Sequence, residues 1–161
     1  MAEFIQKHKL FSFYSTLMLL VVIVAIFAPW LAPGDAFSSN MSQALQAPSS
    51  QHWFGTDKLG RDVLSRIIYG TQLSLFMGVT IVVIMVSIGT IIGAAAGYFG
   101  GKVEMVLMRF ADIMLSFPGI VLAIAIAGIL GGSIVNTIIA LSVVGWAKYA
   151  RLVRSMTVKS M

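Results

Sequence analysis

Leu17-Met-Leu-Leu-Val-Val-Ile-Val-Ala-Ile-Phe27 lies within 25 uncharged residues bounded by Lys9 and Asp35. About 20 mainly apolar residues are enough for a helix to cross the ~30 Å hydrocarbon core of a bilayer. One transmembrane helix is expected here, at residues 10–32, behind a cytoplasmic N-terminus at 1–9. A secretory signal would have an apolar core of only ~7–15 residues and end at a small-x-small site. Pro29 and Trp30 follow instead, which points to an uncleaved anchor.

Two further uncharged runs extend from Ile67 to Gly101 and from Ile113 to Ala147. The first centres on a helix at 71–98. The second, taken as one helix, would reach ~50 Å and must fold back. Gly131-Gly132-Ser133 is the natural turn. Helices are therefore expected at 103–130 and 134–150, with a cytoplasmic turn at 99–102 and an extracytoplasmic one at 131–133. The reading is an all-α integral membrane protein with four transmembrane helices.

Composition agrees: 58% of residues are hydrophobic and 11% charged, whereas a soluble domain carries about a quarter charged. Eleven basic and six acidic side chains cannot clothe a soluble core, so the shell is the lipid bilayer. The net charge of +5 is not a nucleic-acid footprint, because the basic residues sit at segment ends. Lys7 and Lys9 precede the first helix; Lys148, Arg151, Arg154 and Lys159 lie at or beyond the end of the fourth. Basic flanks stay on the cytoplasmic side, so both termini, including 151–161, are expected there. The loop at 33–70 then lies outside although it carries Lys58, Arg61 and Arg66; Asp35, Asp57 and Asp62 balance them. There is no cysteine, so neither a disulfide nor a thiolate metal site can form.

Gly89, Gly93, Gly97 and Gly101 recur every four residues, leaving one face of the second helix nearly without side chains. Such ridges let helices approach closely in lipid; packing is favoured over the lining of a path. Arg109 and Asp112 stand three apart and are expected to pair, either as a functional intramembrane pair or as an interfacial structural one. Pro118 removes a backbone donor and should kink the third helix. Gly55-Thr-Asp-Lys-Leu-Gly-Arg-Asp62 lacks the spacing of a phosphate loop and no strand precedes it, so no nucleotide is expected on this chain. Asp62 should open a short helix and pair with Arg66. His8 and His52 are isolated in sequence, and the methionines, Met105 and Met108 among them, read as gap-fillers, so no metal is expected. No nucleophile with a base in reach is found, and no mid-span acid, histidine or Ser/Lys dyad suggests an intramembrane enzyme.

The segment from His52 to Arg66, which holds Gly55, Thr56, Asp57, Gly60, Arg61 and Asp62, resembles a signature of the oligopeptide/dipeptide/nickel permeases of ABC importers. Ala96-Gly-Tyr-Phe-Gly-Gly-Lys102, Met108-Arg-Phe-Ala-Asp112, Leu115-Ser-Phe-Pro118 and Tyr149-Ala-Arg-Leu-Val-Arg154 continue the resemblance in the family's order. It implies a C-type permease subunit forming half of a translocation pathway. The expected partners are a second permease subunit, two ATPase subunits that hydrolyse the ATP, and an extracytoplasmic substrate-binding protein, with peptides or nickel as cargo. No cofactor or nucleic acid is expected. The family continues into a coupling loop of the form Glu-Ala-Ala followed by Gly and then two further spans. Here the chain stops at Met161, with Tyr149, Arg151 and Arg154 on the approach to that loop. The expectation is thus an incomplete ABC importer transmembrane domain: a fragment, a truncated gene or part of a split subunit. A membrane scaffold derived from such a permease is the alternative.

Overall fold

The computed structural model describes residues 9–159; Lys7 and His8, in the expected N-terminal segment, lie outside the described residues. Among the described residues the regular structure is helical, apart from one isolated bridge between Thr56 and Asp62. The chain divides into two compact units, the first ending at Phe76 and the second beginning at Met77.

In the first unit, α1 (Lys9–Ile26) is followed by the single turn α2 (Ala28–Leu31). The uninterrupted helix expected over 10–32 is broken at Phe27. Pro29 has no amide to return to the Ala25 carbonyl, and its ring crowds that oxygen. Phe27 accordingly takes φ −92° and ψ 11° before α2 starts. The following segment is irregular up to Asp62 except for a 3-10 turn at Met41–Gln43, capped by the Asn40 side chain, which accepts from the Ser42 amide.

α3 (Val63–Phe99) begins in this unit and continues into the second. It starts at Val63 rather than at residue 71, because Asp62 Oδ2 accepts the Ser65 amide at 2.8 Å and so satisfies a donor that the first turn leaves unpaired. The short helix expected at Asp62 is the beginning of this long one. Its 37 residues give ~55 Å, more than a bilayer core requires.

In the second unit, the helix expected over 103–130 is two helices, α4 (Gly101–Ser116) and α5 (Gly119–Leu130), turned by 89° at Phe117-Pro118. Proline disfavours helical geometry for the residue before it, and Phe117 is extended at φ −87°, ψ 144°. The expected kink is a full break. After the turn at 131–133, α6 (Ile134–Lys159) runs past the expected end at 150. Ser133 Oγ accepts the Asn136 amide at 3.1 Å, and Asn136 Nδ2 donates to the Leu130 and Gly131 carbonyls at 2.6 and 3.0 Å. One residue pair thus starts α6 and closes α5.

α6 packs on both α4 and α5. The core is made largely of small side chains: Ala111, Ala147 and Ala150 are fully buried with Trp146, and Met108, Met114, Leu115 and Ile92 back them. Phe110 stacks on Trp146 with ring centroids 5.9 Å apart. Small interfacial residues are how helices associate where apolar burial gives no preference for protein over lipid.

α3 is apolar enough to cross a membrane, yet only 6% of its apolar window is buried. A soluble protein would hide such a helix in its core. α4 and α5 pass the same test only as a bent pair, and the apolar helix Leu10–Ile26 is shorter. By length and composition the described residues therefore contain one membrane-crossing helix, or two if the bent pair is one span, where the sequence reading expects four.

Candidate functional site

The motif from Gly55 to Asp62 folds around the Asp57 carboxylate. Its Oδ1 accepts the Leu59 and Arg61 amides at 2.8 and 3.0 Å. Its Oδ2 accepts Arg61 Nε at 2.9 Å and also Arg66 Nη1. Arg66 thus pairs with Asp57, not with Asp62 as the helical spacing suggested. The Arg61 amide, followed by the Arg61 side chain and the Leu59 amide, holds the Asp57 carboxyl well below the usual carboxylate range against the opposing effect of burial.

Asp62 turns the other way and is buried. Its Oδ1 lies 3.0 Å from His52 Nδ1, so His52, isolated in sequence, has a partner in space. Burial on its own would raise the Asp62 carboxyl; the Ser65 amide and hydroxyl and the His52 ring outweigh it and lower it. Ser65 Oγ also accepts the Gly34 amide at 3.0 Å.

The loop's long arm is tied to the motif through Thr56, whose Oγ1 donates to the Gln43 carbonyl and accepts the Gln46 amide at 2.8 Å. Gly55 and Gly60 have φ +72° and +71°, and a Cβ would stand 2.4 Å from the Gln46 carbonyl oxygen and 1.8 Å from that of Asn40. Both positions therefore demand glycine, for backbone conformation and for space. The Thr56 hydroxyl and the Asp57 and Asp62 carboxylates are thus all engaged within the loop.

In the second unit the glycine face of α3 meets α6. A Cβ at Gly89 would stand 2.5 Å from Tyr149 Cβ, at Gly93 2.3 Å from the Ala150 carbonyl oxygen, and at Gly97 2.7 Å from Thr157 Cβ. The contacts advance together along both chains, so α3 and α6 run parallel. Gly101, expected as the fourth member, has open space around it and φ +52°; it is the first residue of α4, and a Cβ there would not reach α6. Tyr149, expected on the approach to an ATPase-coupling loop, also contributes its Cβ to the contact with α3.

Asp112 pairs with Arg151 of α6, not with Arg109 in its own helix. Glu104, which the sequence reading did not single out, pairs with Arg154. Two ion pairs thus lash α4 to α6, and Arg109 lines the adjoining cavity of about 350 Å³ without an ion-pair partner among the described residues. Glu104 and Asp112 are the only acids after Asp62, a scarcity that could have marked both as partners for the arginines at 151 and 154. Pro118 stands apart from this cluster, at the break between α4 and α5.

Residues 89–161 match the family of binding-protein-dependent transport system inner membrane components. The chain is 44% identical over 154 residues to a dipeptide transport system permease protein of Alkalihalophilus pseudofirmus, covering 96% of this chain and 51% of the relative. It is 40% identical over 140 residues to a probable D,D-dipeptide transport system permease protein of Escherichia coli K12, with 87% and 47% covered. To a glutathione transport system permease protein of Escherichia coli O6:K15:H31 it is 46% identical over 141 residues, with 87% and 46% covered. The chain spans about half the length of these relatives. It belongs to the oligopeptide and dipeptide group of ABC importer inner-membrane permease components.

Proposed function

We propose that this chain supplies part of the translocation path of an ATP-driven importer of short peptides. The similarity to a dipeptide permease over 96% of the chain carries the reading. The three relatives are named for dipeptides, D,D-dipeptides and glutathione, which favours peptides over nickel as cargo. The partners would be a second permease subunit, two ATPase subunits and an extracytoplasmic substrate-binding protein.

In this reading the chain is multi-pass in the cytoplasmic membrane. Four segments cross: α1 with α2, the apolar part of α3, the bent pair α4–α5, and α6, with both ends cytoplasmic. The parallel course of α3 and α6 supports it, since an intervening segment must then return the chain across. The 33–70 loop then lies outside, with Arg61 and Arg66 both held by Asp57.

The reading is tested by exchanging the matched segment of the Alkalihalophilus permease for this chain, in a strain that needs that permease to obtain a required amino acid from a dipeptide. Growth on the dipeptide supports it. Membrane insertion without growth favours the scaffold reading.

A further inference from the structure

The break at Phe117-Pro118 leaves a cavity of about 540 Å³ bounded by α3, α4, α5 and α6 in the second unit. That lies within the ~300–1,000 Å³ common for small-molecule sites. Its walls are mostly apolar, from Met85, Met114, Phe117 and Val144, and its polar groups are Lys148 and Tyr149. Leu141, Val144, Gly145 and Lys148 recur at helical spacing, so the ammonium-bearing side chain shares one face of α6 with the apolar wall. Nearby on α4 and α6, Asp112 holds Arg151 and Glu104 holds Arg154, while Arg109 lines the other cavity. Lys148 has no ion-pair or hydrogen-bond partner among the described residues, and neither has the Tyr149 hydroxyl.

An ammonium beside apolar walls is poorly solvated on that side, so a counter-charge there is favourable. A ligand with an apolar body and one carboxylate would complete both requirements at once: side chains against the methionines and Phe117, the carboxylate on Lys148. We infer that this cavity binds the carboxylate end of a short peptide in transit, with Lys148 as its charge partner. The choice of ligand rests on the peptide-permease reading above. The cavity itself rests on the proline break, which turns α5 away from the line of α4 and opens space above α6.

The test is photolabelling of the chain in native membranes with a dipeptide carrying a benzophenone side chain, mapped by mass spectrometry, alongside dipeptide uptake in the chimeric strain. Labelling is expected on the α4–α5 junction or around Met85. It should be competed by a free-carboxylate dipeptide and about tenfold less well by its C-terminal amide, the difference expected for one charged hydrogen bond. Lys148→Gln should abolish that preference and Lys148→Arg should restore it.

Equal competition by acid and amide, or labelling elsewhere, would overturn the inference and leave the cavity to an acyl chain or a packing side chain. Selective labelling without uptake would retain the site and refute the transport reading. Uptake that Lys148→Gln leaves unchanged for both acid and amide would do the reverse.

Discussion

Gly89 lies so close beneath Tyr149 that a Cβ added to it would stand 2.5 Å from the tyrosine's own Cβ. Real Cβ atoms do not approach so nearly, and the atom in the way is the root of a side chain rather than its flexible end.

Substituting alanine at Gly89 or Gly93 should therefore force α3 and α6 apart and cost about 1–3 kcal/mol, the range for overpacking a close interface. Gly78, with open space around it, is the control: Gly78→Ala should be neutral or stabilise by up to ~1 kcal/mol through helix propensity. Denaturant titration in mixed micelles measures both. Equal effects at Gly78 and Gly93 would refute close packing on this face.

The carboxyls of Asp57 and Asp62 both titrate below their ordinary range in the folded loop. The stability they contribute is complete above the unfolded carboxylate value of ~3.9 and is lost as pH falls from there toward their folded values. In a variant retaining Trp53 as its only tryptophan, fluorescence should report loosening of the loop only below about pH 4. Asp57→Asn should be loosened already at neutral pH, with a smaller acid transition left to Asp62.

The two pairs between α4 and α6 should differ in weight. Arg151 and Asp112 are about half exposed, at 54% and 49%, so Asp112→Asn should cost under ~1 kcal/mol after solvent screening. Arg154 and Glu104 are less exposed, and Arg154 Nε is buried without a hydrogen-bond partner. Glu104→Gln, which removes that guanidinium's counter-charge, should cost more, on the order of 1–3 kcal/mol. Double-mutant cycles on both pairs check the ranking.

Having no cysteine, the chain allows its topology to be read directly. An impermeant maleimide should label Ser50→Cys in intact cells and Ser155→Cys only after permeabilisation. Labelling of both from outside would contradict the arrangement with both ends of the chain inside.

Much of the helical architecture is legible in the uncharged runs, because a bilayer imposes length and polarity on whole segments. Pro118 also announces a disturbance, but not its size: the 89° turn arises because Phe117 becomes extended, which spacing alone does not reveal. Arg109 and Asp112 show the limit of one-helix reasoning. They stand at pairing distance in sequence, yet Arg151 reaches Asp112 from another helix. The order of the segment before α3 comes from contacts such as His52 to Asp62 and Gly60 against Asn40, which exist only once the chain has doubled back.

Whether this chain serves a peptide importer is decided by ATP-dependent uptake of a radiolabelled dipeptide. Inside-out membrane vesicles would not serve, so proteoliposomes are used, with ATP enclosed and the binding protein outside, carrying the permease complex in which this chain replaces the matched segment of its Alkalihalophilus relative. Accumulation is expected that requires both ATP and the binding protein and is lost in a Gly93→Leu variant. An assembled complex, normal in its subunit content, that accumulates no dipeptide would contradict it.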